Sequence, residues 1–187
     1  MRIISGSIKG KKILQPKDKL TRPLKDLTKE SIFNIIKHSK LLNVNLVNSN
    51  ILDLFSGVGS FGLECLSRGA ASVTFLESYN EVLPVLKKNI NNLKFQNQSK
   101  IIEKDIFEEK TLKLIDNKFE LIFIDPPYKE NRLSSLVDKI IQLELLKENG
   151  ILIMHRHKKE KDNFPESLNI ILKKNYGISN IIFGSKA

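Results

Sequence analysis

Asp125-Pro126-Pro127-Tyr128 stands directly after an apolar run, Phe119 to Ile124, that reads as a buried strand. The tetrapeptide therefore falls where a central strand ends and its loop begins, the usual place for a site in an open α/β sheet. Two prolines fix φ and carry no N–H, so the loop is stiff and its carbonyls are free to accept hydrogen bonds. An ionised Asp adds acceptors only, and Tyr adds a flat ring that can stack on another flat ring. Stiff acceptors beside an aromatic plate suit one ligand group above others: the exocyclic NH2 of a nucleobase. In this reading Asp125 and the Pro126 carbonyl accept the amine hydrogens, Pro127 holds the turn rigid, and Tyr128 stacks on the base.

A second motif supplies something for that amine to react with. Ile51-Leu52-Asp53-Leu54-Phe55 reads as a short strand, followed by the glycine-rich turn Ser56-Gly57-Val58-Gly59-Ser60-Phe61-Gly62 and a helix from Leu63 to Arg68. Gly57 and Gly59 allow backbone shapes closed to other residues, and Gly62 permits close helix–sheet packing. The Gly-x-Gly-x-x-Gly spacing alone also fits dinucleotide folds. Asp53, however, places a carboxylate at the mouth of the turn, where a pyrophosphate would be repelled. S-adenosylmethionine has no pyrophosphate, and its methionine end carries an ammonium.

Two further acids close strand-like runs in order. Ser72-Val73-Thr74-Phe75-Leu76 ends at Glu77, suited to both ribose hydroxyls, and Ile101-Ile102-Glu103-Lys104 leads to Asp105, suited to the adenine amine. Taken singly, each acid is as well explained as a helix cap or a solvated carboxylate. Together, Asp53, Glu77, Asp105 and Asp125 lie near the carboxyl ends of successive strands, a pattern that scattered surface acids do not produce.

On these residues the chain resembles the bacterial guanine-N2 methyltransferases of 16S ribosomal RNA. Met1-Arg2-Ile3-Ile4, Thr21-Arg22-Pro23, Glu30-Ser31-Ile32-Phe33-Asn34, Asp53 to Gly59, Ser67-Arg68-Gly69-Ala70, Asp125 to Tyr128 and Tyr176-Gly177 stand in that family's order. The resemblance implies methyl transfer from S-adenosylmethionine to the N2 amine of one guanine, in an assembled or nearly assembled small subunit. It implies cofactor contacts at Asp53, Phe55, Ser56, Gly57, Gly59, Glu77, Asp105 and Ile106. Arg22 and Lys25 read as substrate contacts, Arg22 being equally placed to hold the loop over the cofactor, and the basic arm adds Lys9, Lys11 and Lys12. Three departures stand out: Ser5-Gly6 for a paired glycine, Val58 for a small or hydroxylated residue, and His155-Arg156-His157 for a more acidic stretch. The two histidines read as ordinary surface residues, since alternate positions at a strand end with no third ligand make a poor metal site. No metal is expected.

The elements that must position these groups follow from periodicity. Residues 1–15 read as a short hairpin around Gly6 and Gly10, and Leu27 to Ser39 as a helix capped by Asp26. Strands are expected near 50–55, 72–77, 99–103, 119–124 and 149–155, with helices such as Asn80 to Leu93 and Leu133 to Leu146 in the intervals. Gly150 is expected to close the last of these helices. Leu168 to Leu172 and Ile178 to Phe183 look like a terminal strand pair around Gly177. This is an α/β fold: a doubly wound, mainly parallel sheet with an antiparallel end, for which the resemblance implies the seven-stranded class I (Rossmann-like) methyltransferase order.

Charge singles out the amino terminus. The first forty residues hold eleven basic groups against three acids, a surplus of eight within a net charge of +10. Residues 1–45 thus read as a basic extension to a nearly neutral core, fit for RNA phosphates; a merely solvated lysine-rich surface is the alternative. At 187 residues one domain is expected, and Cys65 reads as a small core residue. The lack of a long apolar run or a signal-peptide core leads to the expectation of a cytoplasmic, monomeric bacterial protein. Three other functions share part of the pattern. They are a DNA adenine-N6 or cytosine-N4 methyltransferase, a nicotinamide oxidoreductase and a non-catalytic RNA-binding factor.

Overall fold

The computed structural model describes residues 1–16 and 24–187. Its strands are β1 (Asn50–Leu54), β2 (Ser72–Leu76), β3 (Ser99–Ile102), β4 (Phe119–Ile124), β5 (Leu146–His157), β6 (Leu168–Tyr176) and β7 (Ser179–Lys186). They form one sheet in the order β3-β2-β1-β4-β5-β7-β6. β1 to β5 pair in parallel and β7 runs antiparallel to both neighbours, as expected for this class. The strand order reverses between β1 and β4, whose carboxyl ends lie side by side with Leu54 opposite Ile124. Connections leave those two ends in opposite directions, and a crevice opens between them.

Side-chain alternation assigns the two faces. Ile51, Val73, Phe75, Leu121, Phe123, Ile151 and Ile153 pack beneath the helices α1 (Asp26–His38), α2 (Ser60–Ser67) and α3 (Leu83–Asn92). Leu52, Leu54, Leu76, Ile122, Ile124, Leu152 and Met154 pack on the other side with α4 (Leu133–Gln142). Cys65 is fully buried in the first layer. Phe33 of α1, Phe61 of α2 and Phe123 of β4 form a stacked column, with centroids 5.1 and 3.9 Å apart. Arg68 caps it 4.3 Å above Phe33. Each such ring pair adds about 0.5–1.5 kcal/mol to its area burial, so the column ties the amino-terminal helix to the central strand.

The hairpin is minimal: one antiparallel bridge, Arg2 to Lys12, with Ile3 and Ile13 buried against the first layer. A single carboxylate anchors it. Glu64 of α2, fully buried, accepts from the N–H groups of Ile4 (2.7 Å) and Ser5 (2.9 Å) and from Arg68 Nε (2.8 Å). Lys29 Nζ lies 3.8 Å from the same carboxylate and donates to the Arg2 carbonyl and Ser60 Oγ. Burial lowers the Lys29 pKa, and the Glu64 and Asp26 carboxylates oppose that shift. Gly6, at φ 90°, lies so close to α2 that a Cβ would sit 1.8 Å from the Ser67 carbonyl oxygen. On the opposite edge Asn89 of α3 accepts from Leu14 N–H and donates to the Leu14 carbonyl, as a neighbouring strand would.

Several expectations need correction. Asp26 is the first helical residue of α1 and Lys25 its N-cap, which makes no side-chain cap bond. α4 stops at Gln142 because Glu144 turns to φ 53°, and Gly150 lies inside β5, where the pairing register to β4 shifts. The interval between β3 and β4 carries only a 3-10 turn at Leu112–Leu114. Lys29, one of the eleven amino-terminal cations, is buried and contributes no surface charge.

Candidate functional site

A cleft of about 620 Å3 opens at the carboxyl ends of β1, β2 and β4, a size that takes a nucleoside-sized ligand. Asp53, Phe55, Ser56, Gly57, Glu77, Asp105 and the whole of Asp125 to Tyr128 line it. Gly59 and Ile106 do not. Gly59 shapes the turn from within at φ 80°, where a Cβ would meet Leu86 at 2.6 Å. Ile106 buries its side chain in the layer shared with α4.

The glycine turn is set by its carboxylates. Asp53 is 1% exposed, and its Oδ2 accepts from Gly62 N–H at 3.0 Å, fixing α2 against the end of β1. Burial pushes its pKa well above the usual carboxylate value; the Gly62 N–H opposes this, and the Asp125 and Glu77 carboxylates add to it. A buried acid with one N–H partner and two like charges nearby is a place where a cation is favoured. Glu77 accepts from Gly57 N–H at 2.7 Å, Ser78 N–H at 2.9 Å and Tyr79 N–H at 2.8 Å. A carboxylate has about four acceptor positions, so Glu77 keeps room for one ligand hydroxyl rather than the two expected from sequence. Phe55 takes φ 57°, a conformation that costs a bulky residue about 1–3 kcal/mol and is tolerated mainly at functional sites. Its ring packs at 6.0 Å against Phe107, an apolar wall that periodicity did not reveal. Asp105 is exposed and accepts from Phe107 N–H at 2.9 Å.

Asp125 follows β4 with its side chain 21% exposed and its N–H directed at the Leu54 carbonyl. By alternation it shares a face with Leu121 and Phe123, as Asp53 does with Ile51. The principal correction concerns the next strand. Of the two histidines expected at the surface, His155 is buried, 4% exposed, and His157 half-buried, while Arg156 between them is 1% exposed. His155 Nδ1 lies 2.8 Å from Asp125 Oδ1, and Nε2 lies 2.8 Å from Ser179 Oγ on β7. Arg156 forms a two-pronged pair with Asp162 and donates to the Glu130 carbonyl at 2.9 Å, with a longer bond to the Pro127 carbonyl. His157 meets Tyr128 edge-on at 4.8 Å. β5 outruns β4 by three residues, since Ile124 pairs with Met154, and this overhang flanks the Asp125 loop. Arg132, also missed, lies 3.5 Å over the Phe107 ring, held there by Glu130.

The predicted substrate lysines sit apart from the cleft. Lys9, Lys11 and Lys12 are exposed on the hairpin, and Lys25 is exposed at the start of α1. The cleft is bounded on that side by Gln15 and Leu24. Arg22 lies outside the described residues. Among the described residues no helix is long and apolar enough to cross a membrane.

Comparison with known proteins adds sequence relatives to this geometry. A family model described as conserved hypothetical protein 95 matches residues 1–185. The chain is 33% identical to ribosomal RNA small subunit methyltransferase D of Haemophilus influenzae, over 95% of this chain and 90% of that protein. It is 32% identical to the protein of the same name from Buchnera aphidicola, over 92% and 86%. Among solved structures, a Haemophilus influenzae methylase superposes with a TM-score of 0.78 at 30% identity, covering 99% of this chain and 97% of that one.

Proposed function

This chain belongs to the family of bacterial small-subunit rRNA methyltransferase D proteins, and from that premise we propose that it methylates the exocyclic N2 amine of a guanine in 16S rRNA. The observation that carries the proposal is Asp125. An acceptor-only side chain stands on a rigid proline loop, at the point where the strand order reverses, in one cleft with a buried carboxylate suited to a cation. The cleft fits S-adenosylmethionine as methyl donor. Asp53 would face its ammonium, Glu77 would take a ribose hydroxyl, Asp105 the adenine amine, and Phe55 and Phe107 would cover the apolar surface.

Guanine N2 is a poor nucleophile because its lone pair is delocalised into the ring. The base leaves its stack to reach the cleft, and Tyr128 stacks on it. Asp125 Oδ2 and the Pro126 carbonyl accept the two N2 hydrogens, which draws the lone pair out of conjugation and aims it at the methyl donor. These acceptors favour the tetrahedral nitrogen over the planar one, so they stabilise the transition state more than the bound substrate. S-adenosylmethionine, when bound, would supply a methyl already activated by its sulfonium, the N–C bond forming as the S–C pair returns to sulfur. The surplus amine proton leaves through Asp125. Residues 1–45 serve as the RNA-contacting extension, with Lys9, Lys11, Lys12, Arg22 and Lys25 as phosphate contacts.

The test uses small subunits from a strain lacking the gene, labelled S-adenosylmethionine, and nuclease digestion followed by mass spectrometry. The expected product is a single N2-methylguanosine, absent with Asp125→Ala, which should still bind the methyl donor. Equal activity of Asp125→Ala and wild type refutes the assignment. Incorporation into duplex DNA instead of small subunits selects the DNA amino-methyltransferase reading.

A further inference from the structure

We propose that His155 is a positioning residue for methyl transfer, holding Asp125 in the rotamer that presents its free oxygen to the substrate amine. The inference rests on the assignment of Asp125 as amine acceptor. An Asp side chain has a broad terminal torsion, and Asp125 stands beyond the last β4 pairing, where no ladder fixes it. Its backbone N–H bond to Leu54 is long, 3.4 Å. Left alone, a carboxylate 21% exposed at the edge of an open cleft would swing toward solvent. His155 prevents this. An ionised carboxylate can only accept, so Nδ1 of His155 carries the hydrogen in their 2.8 Å bond. Charge-assisted bonds of this kind are short and directional. They fasten Oδ1 and leave Oδ2 free.

The histidine is itself fixed from behind. Its Nε2 meets Ser179 Oγ at 2.8 Å, and a hydroxyl can either donate to a neutral ring or accept from a charged one. The bond pattern therefore survives in either protonation state. Position agrees with this role. Ile151, Ile153 and His155 alternate along one face of β5, the face carrying Phe123 and Asp125 on β4, and Ser179 follows the same face on β7 next to Ile181. The neighbouring residues of the overhang grip the rest of the loop: Arg156 holds the Glu130 carbonyl and His157 packs on Tyr128.

Two variants of nearly equal polarity separate the hydrogen bond from mere bulk. Asn places its amide nitrogen where Nδ1 of His stands, whereas Gln places it near Nε2. With small subunits as substrate, His155→Gln should lower kcat by about 10²-fold, the scale of a 1 Å misplacement. His155→Asn should recover most of that loss. Calorimetric binding of S-adenosylmethionine should be the same for both, and so should KM for the subunit. Ser179→Ala, which loosens the ring without removing it, should lie between wild type and His155→Gln. Full activity in His155→Gln, or equal loss in His155→Gln and His155→Asn, overturns the inference. Asp125→Ala, run alongside, keeps the two ideas apart. If it stays active, the acceptor assignment fails, whereas an inactive Asp125→Ala with a fully active His155→Gln removes only the positioning role.

Discussion

Asp53→Asn offers a test in which ligand binding and fold stability move in opposite directions. The substitution keeps the shape, and an amide oxygen can still accept from Gly62 N–H, so the glycine turn should stay in place. Only the charge is lost. A carboxylate and an ammonium about 4 Å apart attract by about 4 kcal/mol at an effective dielectric of about 20. Removing one partner of a buried, hydrogen-bonded pair costs about 2–5 kcal/mol in binding, or about thirty- to four-thousand-fold in Kd for S-adenosylmethionine. Isothermal titration measures this directly. 5'-Methylthioadenosine lacks the amino-acid end, so it should bind both proteins alike.

The stability of the ligand-free protein should change the other way. Burial raises the Asp53 pKa above its unfolded value. The folded protein then holds a proton over a window in which the unfolded chain has released it. That contribution is complete below the unfolded pKa and is lost as pH rises through the folded one. Above the folded pKa the wild type carries a buried, incompletely matched charge that Asp53→Asn lacks. The variant should melt higher, by about 2–4 °C per kcal/mol for a chain of this size, and the gap should close on acidification. S-adenosylmethionine binding to the wild type should weaken as pH falls below the folded pKa, because Asp53 must then lose its proton, and the variant should show no such dependence. Unchanged affinity in Asp53→Asn, or equal weakening of 5'-methylthioadenosine, would refute the ammonium assignment.

Other outcomes follow from the same geometry. Glu77→Ala removes the acceptor of three backbone N–H groups and should weaken S-adenosylmethionine about 10²-fold in titration before it affects kcat at saturating donor, on the scale of a lost charged hydrogen-bond partner. Charge reversal of Lys9, Lys11 and Lys12 together should weaken small-subunit binding and flatten its logarithmic salt dependence by about 0.7–0.9 per lost phosphate contact; unchanged affinity and slope would mean that the arm is only solvated. Glu64→Gln removes the carboxylate that Arg68 and the buried Lys29 share, leaving Lys29 only Asp26 at 3.8 Å, and should cost about 3–5 kcal/mol in denaturant unfolding. A loss below about 1 kcal/mol there, the range of an exposed pair, would show that the anchor is not held by charge.

Much of this was legible because parallel strands buried on both faces leave long apolar runs, and the residue after each run must stand at the crevice. Glu77 and Asp125 were found in this way, and Asp53 from its place inside β1 just ahead of the glycine turn. His155 was not, although the alternation Ile151, Ile153, His155 places it on the core-facing side of β5; its hydrophilicity and the His-x-His spacing pointed to the surface instead. Arg156 escaped for a different reason, since its charge is matched by Asp162 and by carbonyls on a separate loop, pairings that no local pattern encodes. Glu144 shows a third kind of miss. Its left-handed backbone ended a helix where Gly150 was expected to, and sequence gives little sign of a non-glycine residue in that conformation.

The Glu64 anchor bears on how such an enzyme finds one nucleotide in a particle the size of a ribosomal subunit. Because that carboxylate, on the helix behind the glycine turn, grips the hairpin backbone, the lysines proposed to meet RNA would be a handle on the sheet itself, not a tether. Seating the handle on a ridge of phosphates would at once fix the direction in which the crevice opens, with little freedom left to lose. Reach would be set by the hairpin's rigid length, so the choice of nucleotide becomes a matter of measured distance from a surface landmark.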